Sequence, residues 1–259
     1  FAGFIEELYF KKLEPTYIYH YLPFRYLKNI LENNNPTIRL YNLSKYVKNK
    51  NDSKEYSYFI DRIGLIIPNA ENYLNSIIED MFILSCTTEK NSDDHWNYYG
   101  KKEASCICFN LEIKKSNHDV DLKNVVYESE LTKLFCLNQC LKEEIGYSLD
   151  ISKVYSFSKY VKRSYYEWEK EIRICFDNNS HQIGKKLKSF LTNGKITQSK
   201  NDKYFKIKVD ETNNKYIEIP LENDFFKLTV KSIHTRTNNE ELKRLCNNKE
   251  IELIIESNF

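Results

Sequence analysis

The segment YYEWEKEIRICF, at residues 165–176, places Glu169, Glu171 and Arg173 at alternate positions. Side chains alternate between the two faces of a strand, so an extended segment would direct these three groups to one face. The isoleucines between and after them would point to the other face and join a hydrophobic core. The pattern therefore predicts a strand with one charged face and one apolar face.

The two acids on the charged face need something that balances their charge. Neighbouring carboxylates repel each other unless a cation, a ligand or a proton lies between them. One interpretation is a ladder in which Arg173 and a cross-strand lysine or arginine neutralise both acids. The other is an acidic catalytic site. If the segment were helical, Glu169 and Arg173 would form an ordinary i,i+4 ion pair.

The composition is that of a globular protein without a strong charge bias. The chain has 259 residues, 41% of them hydrophobic and 14% aromatic, with a formal net charge of +2. Strand and helix patterns are intermixed along the chain, with no repeat and no low-complexity linker. We predict one α+β domain over residues 1–259, with a mixed, mainly antiparallel, split sheet flanked by helices.

The individual elements are predicted from hydrophobic periodicity and turn residues. Strands are predicted at TYIYHYL, TIRLYNL, MFILSCT and ASCICFNLEI, and helices from Pro23 to about Asn33, at LTKLFCLNQCLKEEI before Gly146, and over residues 150–166. KYFKIKV and KYIEIP are predicted to pair in antiparallel fashion, and FFKLTVKSI, a capped helix and IELIIES to form a closing β-α-β unit.

Cysteine usage and hydropathy bear on location and metals. The seven cysteines form no CxxC pair and have no histidine at zinc-ligand spacing, so no metal site is predicted. Scattered cysteines in apolar contexts indicate reduced thiols in a cytoplasmic protein. No apolar run approaches the roughly 18 residues that span a membrane, and the first residues lack the features of a signal peptide. We expect a cytoplasmic location and no membrane partner.

Several motifs occur in the order found in a bacterial protein family of unknown function. They are Tyr19-His20-Tyr21, Leu27-Lys28-Asn29-Ile30-Leu31, Ile38-Arg39-Leu40, Leu84-Ser85-Cys86-Thr87-Thr88-Glu89, His95-Trp96-Asn97-Tyr98-Tyr99, Ser105-Cys106-Ile107-Cys108-Phe109 and Trp168-Glu169-Lys170-Glu171-Ile172-Arg173. The chain resembles this family over about residues 17–256, although Tyr41 replaces a serine and the turn at residues 51–53 lacks a proline. The family has no settled activity, so the resemblance implies kinship and no chemistry.

A looser resemblance, to the ADP-ribosyltransferase superfamily, suggests the chemistry. In that superfamily a strand histidine holds the ribose of NAD, aromatic side chains stack on nicotinamide, and the second glutamate of a late Glu-x-Glu strand orients the nucleophile. The resemblance implies these roles for His20, for Tyr98 or Tyr99, and for Glu171 with Glu169 assisting. It also implies NAD as the substrate and an ADP-ribosyltransferase-like fold.

Elementary chemistry is compatible with these roles. A carboxylate can stabilise the oxocarbenium-like state that forms when the nicotinamide–ribose bond breaks. Arg39 could pair with a pyrophosphate through two hydrogen bonds. The predicted catalytic residues are therefore Glu171, Glu169 and His20, and the predicted NAD-binding residues are His20, Tyr21, Arg39, Trp96, Tyr98, Tyr99 and Arg173.

Ordinary structural interpretations stand beside these assignments. His20 can be a satisfied structural histidine, Arg39 can pair with Asp52 or Glu55, and the HWNYYG aromatics can belong to the core. Another set of cations, at positions 159, 162 and 163, is interleaved with tyrosines. It can form a nucleic-acid-binding face or an ordinary solvated helix surface.

The sequence thus predicts NAD-dependent ADP-ribosyl transfer or NAD hydrolysis, in a toxin or defence effector with an unidentified protein or nucleic acid as acceptor. One alternative is a nucleic-acid-binding or nucleic-acid-modifying domain. The other is a non-enzymatic protein-interaction module, which fully paired Glu169 and Glu171 without an adjacent cleft would favour.

Overall fold

A computed structural model describes residues 2–10, 13, 16–47, 56–63, 78–100, 104–114, 120–147, 154, 157–178 and 204–256. The strands are β1 (Thr16–Pro23), β2 (Thr37–Asn42), β3 (Met81–Thr87), β4 (Ala104–Ile113), β5 (Val120–Asn124), β6 (Val126–Tyr127), β7 (Val161–Lys162), β8 (Glu171–Asp177), β9 (Lys208–Val209), β10 (Lys215–Pro220), β11 (Phe226–Thr235) and β12 (Glu252–Ile255). The helices are α1 (Ala2–Tyr9), α2 (Phe24–Glu32), α3 (Ser44–Val47), α4 (Ser57–Ile63), α5 (Asp93–His95), α6 (Glu128–Ile145) and α7 (Glu240–Asn248).

The described strands form a mixed, mainly antiparallel open sheet with helices on its flanks, which confirms the predicted α+β class. The main path is β12-β11-β4-β1-β3-β2-β10-β9, and β8 and β5 extend the sheet from the other edge of β3. Within this sheet only β11 and β12 pair in parallel among the described residues, and α7 connects them as the predicted β-α-β unit requires. The predicted β9–β10 hairpin is also confirmed.

One edge of β3 is shared by two strands that diverge. β2 pairs with residues 82 and 83, whereas β1 meets β3 only where Tyr19 lies opposite Thr87. Among the described residues no strand pairs with residues 84–86 on this edge, although β8 pairs along the whole of the other edge. The divergence opens a cleft between β1 and β2, with β3 at its base.

Two apolar layers cover the two faces of the sheet. Even-numbered residues of β3 and β8, among them Ile172 and Ile174, pack with α2 and α7. The opposite face of the same strands contributes Ile83 and Cys175 to a second layer with α1, α4 and α6. The alternation predicted for β8 is therefore confirmed. Burial of both faces explains why β8 is apolar apart from its charged groups.

The start of β8 differs from the prediction. Glu169 ends a 3₁₀ helix over Ser164–Glu169, Lys170 adopts a left-handed turn with φ of 42°, and the strand begins at Glu171. Glu169 is therefore neither a strand residue nor the partner of Arg173 in a helical pair. The predicted helix over residues 150–166 is confirmed only in part: residues 154, 157 and 158 are helical, whereas residues 161 and 162 form the short strand β7 and residues 164–166 begin the 3₁₀ helix.

The turn residues behave as their chemistry requires. Pro23 precedes the first residue of α2, and Gly146 ends α6 in a left-handed conformation with φ of 66° that favours glycine. No helix among the described residues combines the length and apolarity needed to cross a membrane.

We expect Ile172→Ala to lower the free energy of unfolding by about 2–5 kcal/mol, because it opens a cavity in the centre of the sheet. Ile172 has no exposed surface, whereas Ile255 on the edge strand β12 is 52% exposed. Ile255→Ala is the matched control and should change stability by about 0.5 kcal/mol or less. Equal losses in urea denaturation would contradict the assignment of β8 to the core.

Candidate functional site

A cavity of about 590 Å³ lies in the cleft where β1 and β2 diverge from β3. Its walls come from β1, β2, α2, the middle of β3, the turn between β9 and β10, and the segment around Glu169. This volume is in the usual range for small-molecule and cofactor sites. The cavity brings together seven of the nine predicted site residues: His20, Tyr21, Arg39, Tyr98, Tyr99, Glu169 and Glu171.

The two acids are held by two buried cations. The guanidinium of Arg173 donates to both carboxylate oxygens of Glu171, from Nε over 2.8 Å and from NH2 over 3.1 Å. The ammonium of Lys162 lies 2.6 Å from Oε2 of Glu169 and 2.8 Å from Oε2 of Glu171. The hydroxyl of Tyr99 donates to Oε1 of Glu169 over 2.9 Å. We call these five residues the acid–cation cluster.

The two carboxyl groups of this cluster have opposite proton affinities. Burial alone would raise the pKa of Glu171, but the positive charges of Arg173 and Lys162 hold it well below its ordinary value of 4.5. Burial raises the pKa of Glu169, and the charge of Glu171 adds to the rise, although Lys162 opposes it. Glu171 is therefore the member that stays ionised more readily, and Glu169 is the member that takes up a proton more readily.

Backbone contacts fix the cluster in place. The backbone N–H of Glu171 donates to the hydroxyl of Tyr127 over 3.0 Å, and NH1 of Arg173 donates to the carbonyl oxygen of Lys159 over 2.6 Å. Arg173 is fully buried and does not line the cavity. It was predicted as an NAD-binding residue, and the structure corrects this: its guanidinium is committed to Glu171 and so positions that carboxylate.

Two of the three cations at positions 159, 162 and 163 do not lie on a solvated surface. Lys159 and Lys162 are buried, and Lys162 lines the cavity. An exposed surface is the usual expectation for lysine, because lysine side chains are mostly exposed. The buried acids explain why these two lysines are buried instead. A buried Lys162 is instead the neutralising cation that the charge-ladder interpretation required, although it comes from β7 and not from a strand beside β8.

His20 connects β1 to β3 at the point where β1 and β2 diverge. Its Nδ1 lies 2.8 Å from the carbonyl oxygen of Ser85 on β3. A carbonyl oxygen only accepts, so Nδ1 carries the proton and Nε2 has a lone pair; among the described residues Nε2 has no hydrogen-bond partner. Burial lowers the pKa of His20 below its ordinary value, so the ring is neutral at pH 7. His20 therefore has a structural role and presents an acceptor at the cavity wall.

Aromatic rings form the wall next to the acid–cation cluster. Tyr98 is 46% exposed and packs edge-on against Trp168 and Tyr99. Behind them His95 stacks on the ring of Tyr21 at 5.1 Å and donates from Nε2 to the carbonyl oxygen of Glu169 over 3.0 Å. Flat, partly exposed rings of this kind suit a planar heterocycle.

Trp96 is not part of this wall. It is buried, donates from Nε1 to Asn91 over 2.8 Å, and packs with Tyr21 and Cys106 away from the cavity. The prediction that Trp96 binds NAD is corrected to its alternative, a core residue. The helical turn at residues 96–100 explains the difference, because it directs Trp96 and Tyr98 to different sides.

The far end of the cavity carries a different set of charges. The guanidinium of Arg39 lies between the rings of Tyr26 and Tyr216, at 4.9 and 4.5 Å from their centroids, and Nε donates to Glu218 over 3.2 Å. Its predicted alternative partners, Asp52 and Glu55, lie outside the described residues. Burial lowers the pKa of Lys45, which also lines this end of the cavity.

Sequence reasoning missed Lys162, His95 and Lys45 as cavity residues. Lys162 lies seven positions before Glu169, and only the 3₁₀ helix between them brings the two side chains together. No three metal-ligating side chains cluster among the described residues. The arrangement offers instead a cleft for an organic ligand, with acid–base groups at one end and an arginine between two rings at the other.

We expect Arg173→Met to lower the free energy of unfolding at about pH 7 by about 3–5 kcal/mol, because it leaves the buried charge of Glu171 with one cation fewer. In the wild-type chain Glu171 contributes stability above the ordinary carboxyl pKa of 4.5 and loses this contribution as the pH falls below it. The pKa of Glu171 rises in the variant, so acidification should remove less of its remaining stability.

Denaturation curves of both chains between about pH 7 and pH 3 measure this effect. Arg25→Met is the matched control, because Arg25 is exposed and its pair with Glu211 is exposed as well. Parallel pH profiles for wild type and Arg173→Met would show that Arg173 does not hold Glu171 ionised.

No protein-family model, curated protein or solved structure matches the chain. The kinship predicted from the sequence therefore stays a prediction, and the geometry of the cleft is the basis for a functional assignment.

Proposed function

We propose that the cleft binds NAD and that the protein breaks the nicotinamide–ribose bond, either transferring ADP-ribose to an acceptor or hydrolysing NAD. One observation carries the proposal. Two carboxylates with pKa values shifted in opposite directions lie beside exposed aromatic rings at one end of a cavity of about 590 Å³. Pairs of acids whose pKa values are driven apart are typical of acid–base catalysis.

The proposed reaction assigns one task to each of the two glutamates. The bond between ribose C1′ and the nicotinamide nitrogen breaks, and its electron pair neutralises the pyridinium ring. Positive charge develops on the ribose, where the ionised Glu171 stabilises it. An oxygen of water or of the acceptor then bonds to C1′, and its proton passes to Glu169.

The charge of the cluster couples ligand binding to the proton on Glu169. With Glu169 protonated, Lys162 and Arg173 outweigh the single charge of Glu171. With Glu169 ionised, two acids balance two cations. A positively charged nicotinamide ring beside Tyr98 and Tyr99 therefore favours the ionised form of Glu169, which is the form that accepts a proton.

Three further residues of the cavity support the same ligand. The free Nε2 of His20 can accept a hydrogen bond from a ribose hydroxyl, and Tyr98 presents a flat surface to a ring. The guanidinium of Arg39 is held between two aromatic rings, and we assign it to the binding of pyrophosphate. The divergence of β1 and β2 from β3 supports the proposal of an ADP-ribosyltransferase-like fold.

The alternatives receive less support from the geometry. The lysines that suggested a nucleic-acid face are buried. The interaction-module alternative required paired acids without a cleft, and here the acids are paired but a cleft lies beside them. All seven cysteines are free thiols, which supports the proposed cytoplasmic location. A role as a toxin or defence effector with a macromolecular acceptor belongs to the same proposal.

The test is release of nicotinamide from NAD by the purified chain, with and without cell lysate. Glu171→Gln should reduce the release by about a hundredfold or more, because the developing charge loses its carboxylate. Glu112→Gln, which changes an exposed glutamate on β4, should leave the rate unchanged. Dependence on lysate would distinguish transfer from hydrolysis. Release that persists in Glu171→Gln would remove Glu171 from the mechanism, and no release from wild type would contradict the proposal.

The pH profile tests the role of Glu169. Release should rise with pH through the pKa of Glu169, which lies above 4.5, because only the carboxylate accepts a proton. Lys162→Met removes the cation that lowers this pKa, so the rise in kcat/KM should move to higher pH. A profile that moves to lower pH, or does not move, would show that Glu169 is not the base.

A further inference from the structure

A second chain of hydrogen bonds joins β11 to the residue that follows β12, and none of its three residues lines the cleft. Oγ of Ser232 is 3.0 Å from Nε2 of His234, and Nδ1 of His234 is 2.6 Å from Oε1 of Glu256. A hydroxyl, an imidazole and a carboxylate connected through these atoms have the connectivity of an activated serine nucleophile.

The donors and acceptors in this chain can be assigned. The carboxylate of Glu256 only accepts, so in the neutral form of His234 the proton is on Nδ1. Nε2 then holds a lone pair, and the hydroxyl of Ser232 donates to it. The ring is therefore in the tautomer that a general base needs, and Glu256 holds it there.

The local backbone supports the same role. Ser232 and His234 are two residues apart on β11, so both side chains lie on one face of the sheet. The ladder between β11 and β4 shifts register between Val230 and Ser232, which leaves Lys231 outside it. Such bulges re-aim the following side chain and are frequent beside active sites.

The face that carries Ser232 is partly open. Cys108 and Tyr19 lie beside Ser232 in register on β4 and β1. Tyr17, two residues before Tyr19 and hence on the same face, is 55% exposed. Ser232 itself is 7% exposed, so only a small electrophile has access to its oxygen.

We propose that Ser232 is the nucleophile of a second site, with His234 as its general base and Glu256 as the residue that orients the base. Its substrates are short acyl esters or thioesters. None of these three residues lines the NAD cleft, although Tyr19 contacts His234 and also lines the cleft, and the proposal does not depend on the function proposed there.

The step balances with water as the co-reactant. Oγ of Ser232 attacks the carbonyl carbon of the ester, and its proton passes to Nε2 of His234. The bond to the alkoxide or thiolate breaks, and the leaving group takes the proton from His234. Water, deprotonated by His234, then releases the acyl group as a carboxylic acid and restores Ser232.

The test uses the full chain with a biotinylated fluorophosphonate and, separately, with 4-nitrophenyl acetate. We expect the phosphonate on Ser232 by peptide mass spectrometry, and a burst of nitrophenolate that does not exceed one per chain. Ser232→Ala should abolish both. Glu256→Gln, which keeps the shape of a partly exposed side chain, should slow labelling by roughly a hundredfold. Thr229→Ala removes a hydroxyl from the same strand and should leave labelling unchanged.

A purely structural hydrogen-bond chain gives a different result. His234→Gln would then lower the melting temperature while the wild-type chain takes no label. Absence of label on a folded wild-type chain, label on Cys108 or another residue, or equal labelling rates for wild type and Glu256→Gln would each overturn the proposal. None of these results bears on nicotinamide release, so the two proposals are tested independently.

Discussion

The ammonium of Lys162, placed between the carboxylates of Glu169 and Glu171, is the interaction on which the cavity wall depends. Two carboxylates this close inside a protein cannot both be ionised without a cation between them. Lys162 contacts both, and Arg173 binds both oxygens of Glu171 from the side away from the cavity. Removing one partner of such a group is costly because the others stay buried and charged. The cluster therefore behaves as a unit that fixes the end of the 3₁₀ helix against β8.

The second constraint is the divergence of the strands. β3 cannot pair with β1 and β2 along one edge at once, so both leave it in the middle and a cleft opens. The imidazole of His20 satisfies the carbonyl of Ser85 at the opening, which keeps a buried acceptor from being left unpaired. The same residue faces the cavity, as do Glu171 and Tyr99. The feature that makes a cleft possible thus also supplies its polar wall.

Local patterns predicted most of the strands, because alternation and turn chemistry act over a few residues. Ile172 and Ile174 pack in the core as their spacing predicts, and Gly146 ends α6. The left-handed turn at Lys170 has no such signature, so Glu169 was placed on the strand. The sequence predicts that a lysine or arginine neutralises the acids, but it does not identify Lys162 as that residue. Which lysine is buried depends on long-range packing that no single stretch contains. The sequence pattern treats Trp96 and Tyr98 alike. Only the helical turn at residues 96–100 directs Trp96 into the core and Tyr98 towards the cavity.

We propose that the cleft holds NAD beside the acid–cation cluster. Trp168 reports on it, because its ring packs against Tyr98 and His95 at 5.5 and 5.1 Å. The chain has two tryptophans, so Trp96→Phe leaves Trp168 as the sole tryptophan fluorophore. We predict saturable quenching of its fluorescence by NAD at up to about millimolar concentration, weakened by Arg39→Ala. Fluorescence that does not change with NAD in a folded chain would contradict the claim that this cleft is a dinucleotide site.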